Sequence, residues 1–301
     1  MALRRVRRIA VYGMCRDDAG RVLMVARTDE PAASDVWNLP GGEIQHGEAP
    51  ARAIIRQVES ETGLVAKIEG LRDIAIEIRE HQDRGFVVHS DRIVYDVRIV
   101  GGVRGGYGSH RMAWLSADDL RVVRLTDRAR AILGMPGPPE ELSAMWNPEE
   151  LGPDQGQRFS AYGVVTDPKG RILLTLISLG YPGAGTWHLP GGGTDFGEDP
   201  KDALLRELLE ETGQGGEITG LISVTNLHNP AAWGPEGRPM DWHGVRVTYR
   251  VRVDDPTDPE VRESNGSTAD ASWFTEIEAA KLRLNRPALD ALRRAGLLPA
   301  R

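Results

Sequence analysis

Residues 243–253, HGVRVTYRVRV, place Val245, Val247, Tyr249, Val251 and Val253 on one phase and mostly polar residues on the other. That two-residue period predicts a strand with one buried face. Strands are also predicted near 6–14 and 21–27, joined through the turn-forming run Asp17-Asp18-Ala19-Gly20, and the arrangement recurs around Asp167-Pro168-Lys169-Gly170. The period changes over 200–212, PKDALLRELLEET, where Leu204, Leu205 and Leu208 make the apolar stripe of a helix. Pro200 suits a first helical turn, Asp199 a cap, and Gly213 a left-handed stop. Ser116 with Asp119, and Thr275 with Glu278, have capping-box spacing, and a last helix is expected near 287–295.

The pattern occurs twice. Residues 10–27 align with 160–177 at a constant offset of 150, Tyr12 falling on Tyr162 and Gly20 on Gly170. Trp37-Asn38-Leu39-Pro40-Gly41-Gly42 matches Trp187-His188-Leu189-Pro190-Gly191-Gly192 at the same offset, and 89–99 resembles 243–253 at an offset of 154. An internal repeat of this length, in a chain of 301 residues, predicts two domains of ordinary size. The expected division is 1–136, a Pro/Gly-rich linker over 137–157 that holds Trp146, and 158–301.

Chemistry concentrates in the second copy, over Gly192–Gly213, GGTDFGEDPKDALLRELLEETG. On a helix Glu207, Glu210 and Glu211 stand at i, i+3 and i+4 and share a face. Carboxylates crowded together repel unless a cation joins them, and hard oxygen ligands suit Mg²⁺. Arg206 can pair with a neighbouring carboxylate and fix its orientation. The preceding Trp187–Gly193 loop is too rich in glycine for a helix or strand interior and lets backbone approach a ligand closely. A solvated acidic helix is the bland alternative; the added spacing of Gly192, Glu198 and Gly213 weighs against it.

The spacing of Gly192, Glu198, Arg206, Glu207, Glu210, Glu211 and Gly213 resembles the signature box of the Nudix hydrolases, with only Gln214 off pattern. The resemblance implies an α+β fold of two Nudix-like α/β/α sandwich domains, each a mixed sheet between helices. It implies hydrolysis of a nucleoside diphosphate linked to another group, such as a nucleoside triphosphate or a nucleotide sugar, with Mg²⁺ or Mn²⁺. Glu207, Glu210 and Glu211 would hold the metal, with Glu198 and Arg206 completing the catalytic set, and the base would be Glu207, Asp254 or Glu263. Gly191 and Gly192 would approach the substrate, while Trp233 and Trp242, in the extra segment 227–244, would either stack a base or pin the loop. Pro230 falls near a proline of the ADP-ribose hydrolases of that family. In the first copy Gln57 and Ser60 replace two of the three carboxylates, so that copy is expected to keep the fold and lose metal-dependent catalysis, a weak site on Glu48 and Glu61 being the alternative.

Composition narrows the remaining classes. A net charge of −7 argues against a general nucleic-acid backbone binder, and no run of 18 apolar residues is present for a membrane span. One cysteine, Cys15, excludes an intrachain disulfide and a cysteine zinc cluster and fits the reducing cytoplasm. Cys15 lies far from the box, which ranks an isopentenyl diphosphate isomerase low. A non-catalytic nucleotide sensor on the same scaffold is the competing class, and the intact second box argues against it. Relatives that act as homodimers make a homodimer, or a pseudo-dimer within the chain, the expected assembly.

Overall fold

The turn at Asp17 shows how short sequence signals start the fold. Its carboxylate accepts hydrogen bonds from the backbone N–H of Ala19 (3.1 Å) and Arg21 (2.8 Å), and Gly20 takes a φ of +76°. A side-chain oxygen thus replaces backbone partners that the reversing chain has given up. Asp167 does the same for Lys169 (2.9 Å) and Arg171 (2.8 Å). The computed structural model describes residues 3–27, 35–103, 110–136, 151–152, 154–233, 239–262 and 266–300. It divides into two compact units, Met1–Gln155 with Trp233–Met240, and Gly156–Ala232 with Asp241–Arg301.

In the first unit β1 (Arg4–Cys15), β2 (Val22–Arg27), β3 (Val36–Asn38), β4 (Gly41–Glu43), α1 (Pro50–Thr62), β5 (Leu64–His81) and β6 (Phe86–Gly102) are followed by β7 (His110–Leu115), α2 (Ala117–Val122), β8 (Arg124–Leu125) and α3 (Asp127–Leu133). One sheet has the order β4-β1-β6-β5 and the other β7-β2-β3-β8. Pairing is mixed: β1 runs parallel to β6, from Arg4 opposite Phe86 to Cys15 opposite Val97, whereas β5 and β6 are antiparallel.

The second unit repeats the plan with β9 (Gln155–Thr166), β10 (Ile172–Ile177), β11 (Trp187–His188), β12 (Gly191–Gly193), α4 (Pro200–Thr212), β13 (Glu217–Trp233), β14 (Pro239–Arg252), β15 (Thr268–Phe274), α5 (Glu276–Ala279) and α6 (Arg286–Arg294). Its strands follow the order β11-β10-β9-β14-β13, with β12 on β9 and β15 on β10. Strand alternation explains the layers. A Cβ on Gly163 would touch Leu204 of α4, while its neighbour Val164 packs with Ala288, Ala291 and Leu292 of α6. Successive residues of β9 therefore face opposite helices, with the sheet between them. The first unit does likewise, Gly13 meeting Ile54 of α1 while Tyr12 and Met14 join Ala129 of α3. The fold is α+β, a mixed sheet between helices in each unit.

Local expectations hold in detail. Asp199 caps α4 by accepting from Lys201 N–H at 2.8 Å, and Gly213 closes it at φ +69°. Ser116 with Asp119, and Thr275 with Glu278, form reciprocal capping boxes. The apolar phase of β14 is buried from Val245 to Val253. One element differs. The segment 227–244 reads as a loop, but its described residues extend β13 to Trp233 and start β14 at Pro239. Pro230 falls in β13, which ends the sheet order, and proline within sheets is confined to such edge strands. Most of the 137–157 segment, with Trp146, lies outside the described residues, and β9 already begins at Gln155. No helix among the described residues is long and apolar enough to cross a membrane.

Candidate active site

The box helix is tied to the glycine strand before it by its own carboxylates. The Gly191 N–H donates to Glu211 Oε2 (2.8 Å), and the Thr268 hydroxyl donates to Oε1 (2.6 Å). Glu211 is 4% exposed, so this carboxylate is held from two elements in a buried position. Charge-assisted bonds of this kind offset the cost of burying the charge. Gly191 itself pairs with Tyr162 of β9 at φ +131°, a conformation that side chains rarely adopt.

Glu207 lies directly over the next glycine. A Cβ on Gly192 would stand 2.6 Å from Glu207 Oε1 and 2.7 Å from its carboxyl carbon. Any other residue would push the carboxylate aside, which gives the Gly-Gly pair its physical reason at this point. The Arg158 guanidinium similarly occupies the place where a Cβ on Gly193 would project.

Arg206 gathers the remaining acids. Its Nε and Nη2 donate to the two oxygens of Glu198 (2.8 and 3.1 Å), and its Nη1 donates to Glu207 Oε1 (3.0 Å) and Glu210 Oε2 (3.1 Å). The Glu198 hydrogen bonds, then those of Glu207, raise the Arg206 pKa above the ordinary guanidinium value although burial opposes it. Glu198 also accepts from the Asp195 N–H at 2.8 Å, which fixes the loop ahead of the helix. Three carboxylates are therefore brought around one guanidinium, with Glu211 anchored one turn further on.

The first unit preserves the frame. Arg56 bonds both oxygens of Glu48 at 2.7 Å, and the Gly41 N–H donates to Glu61 at 2.9 Å. Its Gln57, the counterpart of Glu207, donates its amide to the Glu43 carbonyl at 3.3 Å.

Beside Glu207 opens a cleft of about 830 Å³, lined by Arg158, Tyr162, Gly191–Gly193, Trp242, Arg246 and the α6 residues Arg286, Asp290 and Arg294, among others. This size suits a nucleotide-sized ligand. Arg246 lies over the Tyr162 ring at 4.5 Å, and that ring also meets His188 at 4.8 Å between centroids. Burial and then the Arg246 charge push the His188 imidazole down to about 3, so it is neutral at ordinary pH.

The sequence-predicted residues distribute unevenly about this cleft. Gly191, Gly192, Glu207 and Trp242 line it. Trp233 is 77% exposed at the end of β13 and is not in the lining. Asp254 is exposed, pairs with Arg252 at 2.8 Å and is likewise outside the lining. Glu263 lies outside the described residues. Arg158, Arg246, Arg286, Arg294 and Thr268 were not expected. A signal for Arg246 was present, since it falls on the phase of β14 opposite the buried Val245 and Val247.

The chain matches the NUDIX domain family over residues 6–133 and again over 156–295 and belongs to that family. With the box intact in its second unit, it is a Nudix-type hydrolase of phosphoric anhydrides. Among similar proteins, Nudix hydrolase 25 of Arabidopsis thaliana is 36% identical over 131 residues, 40% of this chain and 70% of that protein. The ADP-ribose pyrophosphatase of Methanocaldococcus jannaschii is 30% identical over 94 residues, covering 31% and 52%. The crystal structure of a MutT NUDIX hydrolase from Burkholderia pseudomallei is 26% identical, covering 46% of this chain and 98% of that one, at a TM-score of 0.37. The chain thus spans between about half and 70% of the length of these two curated relatives.

Proposed function

We propose that the second unit hydrolyses the pyrophosphate bond of a nucleoside diphosphate linked to another group, with Mg²⁺ or Mn²⁺ as cofactor. The observation that carries this reading is the arrangement of Glu207 and Glu211 against a glycine strand that leaves no side chain between backbone and carboxylate, with Glu210 joined to Glu207 through Arg206. The donor set fits a hard dication. It consists of carboxylate oxygens, the hard ligands such an ion prefers. A bound ion supplies Lewis-acid polarisation of a phosphoryl oxygen and acidifies a coordinated water.

The chain's own residues do the rest. Glu198 and Arg206 hold Glu207 and Glu210 in position, and Arg206 offsets their mutual repulsion. Glu207 is the base candidate that lines the cleft, whereas Asp254 is engaged with Arg252 outside it. The Trp242 indole at the cleft wall offers a stacking surface for a nucleobase. The names of relatives, an ADP-ribose pyrophosphatase and an RNA pyrophosphohydrolase among them, support a phosphoric anhydride as the bond cleaved.

We infer further that the first unit is non-catalytic. Its Gln57 is a neutral amide spent on a backbone carbonyl, and Ser60 stands where the second unit has Glu210. The test is Mg²⁺-dependent formation of cleaved phosphate-bearing products, separated by chromatography, across a panel of nucleoside triphosphates and nucleotide sugars, on the intact chain and on Glu207→Gln and Glu211→Gln. Both variants are expected to lose turnover by on the order of 10²-fold or more. Near-normal turnover in both would move catalysis elsewhere, and binding without release would make the protein a sensor.

A further inference from the structure

The cleft of the second unit carries more positive charge than its internal partners neutralise. Among the described residues, Arg158, Arg246 and Arg294 have no carboxylate partner, and Arg286 has a distant one in Asp290 (3.7 Å). Three other arginines of the same unit are paired closely, Arg171 with Asp167 at 2.7 Å, Arg206 with Glu198 at 2.8 Å and Arg252 with Asp254 at 2.8 Å. The Nε–H of Arg246 is buried and donates to no acceptor among the described residues, an arrangement that costs free energy unless an anion reaches it.

The repeat supplies an internal control. Arg246 corresponds to Arg92 of the first unit at the offset of 154. Arg92 is paired with Glu77, and Arg79 bridges Glu77 (3.0 Å) to Asp127 (3.1 Å), so the counterpart of Arg246 has a carboxylate beside it within the chain. At the start of the last helix the first unit has Asp127, and the second has Arg286; Thr126 and Asn285 are the matching caps, each donating its N–H to a tryptophan carbonyl at 3.0 Å. The same position of the fold therefore has a carboxylate partner in one copy and, among the described residues, none in the other. Field from unpaired guanidinia along a concave wall favours a polyanion, and the guanidinium fork matches phosphate.

We infer that the substrate's second moiety is itself phosphorylated, so that the second unit takes a nucleoside carrying three or more phosphates in a row rather than a diphosphate joined to a neutral sugar. This rests on the hydrolase reading for the location of the site. Arg246 receives the chain at the sheet, and Arg286 and Arg294 extend the positive wall along α6.

The experiment is a calorimetric titration of the full-length protein with an α,β-methylene nucleoside triphosphate and, separately, with ADP-ribose, at low and physiological salt. The triphosphate analogue is expected to bind on the order of tenfold more tightly, with the steeper salt dependence. Arg246→Gln and the exposed Arg294→Ala should each weaken it by on the order of tenfold while changing ADP-ribose by less than about threefold. Arg294→Ala keeps the test decisive if Arg246→Gln fails to fold. ADP-ribose binding as tightly as the triphosphate, or equal losses for both ligands, would overturn the inference. Absence of Mg²⁺-dependent cleavage of both ADP-ribose and the unmodified nucleoside triphosphate, read as nucleoside monophosphate formed, would overturn the hydrolase reading instead, leaving the affinity comparison to decide this one.

Discussion

Gly192→Ala separates catalytic positioning from folding at a single methyl group. The new Cβ would lie 2.6 Å from Glu207 Oε1, 2.7 Å from its carboxyl carbon and 3.0 Å from Oε2. Gly192 has no positive φ, so alanine is permitted by the backbone and the strain falls on the flexible end of Glu207. Moving that carboxylate by roughly 1 Å is expected to lower kcat by on the order of 10²-fold. Overpacking of about 1 kcal/mol is partly offset by the reduced freedom of the unfolded chain, so Tm should change little. Gly42→Ala is the matched control, because its Cβ would meet Gln57 Nε2 at 2.7 Å in the same geometry. It should leave turnover unchanged. The assay is steady-state hydrolysis with thermal unfolding measured on the same samples. Unchanged kcat in Gly192→Ala, or an equal loss in Gly42→Ala, would refute the role given to Glu207.

Three further outcomes follow from the geometry. Thr268→Val removes the 2.6 Å hydrogen bond to Glu211 and leaves a buried carboxylate with one fewer donor; a loss of about 1.5–3 kcal/mol in chemical denaturation and a lower kcat are expected, and an unaltered kcat would show that Gly191 alone positions Glu211. In the first unit burial pushes Glu77 up, but the hydrogen bond and charge of Arg92, with Arg128 and Arg79, outweigh it and hold the carboxyl at about 2 against an ordinary 4.5. A depressed carboxyl stabilises the fold above its unfolded value, so denaturation midpoints should fall as pH drops from about 4.5 toward 2, and Glu77→Gln should flatten that fall. Burial pushes the Cys15 thiol up to about 12, so it should resist thiol reagents at pH 8 in the native protein and react once unfolded; rapid native labelling would contradict its place in β1.

Much of the fold was legible because its signals are local. Asp17 and Asp167 make their turns with partners two and four residues away, and the capping boxes at Ser116 and Thr275 close within three. The box helix was legible for the same reason, from Asp199 at one end to Gly213 at the other. The segment 227–244 misled because its glycines and prolines read as breakers, whereas an edge position next to β14 supplies ladder partners that local composition does not reveal.

The sequence by itself determined the doubling of the domain, the helix that bears the acids and the loss of two of those acids in the first copy, since each is a matter of residue type at short spacing. Only the tertiary structure decided what surrounds them. Thr268 reaches Glu211 across 57 residues, and Arg158, Arg246 and Arg294 meet in one cleft from two strands and the last helix. Trp242 is turned into that cleft and Trp233 is not. The physical reason is that a charge finds its partner through space: Arg92 is neutralised by Glu77, while its counterpart Arg246 stands at a cleft with no carboxylate partner.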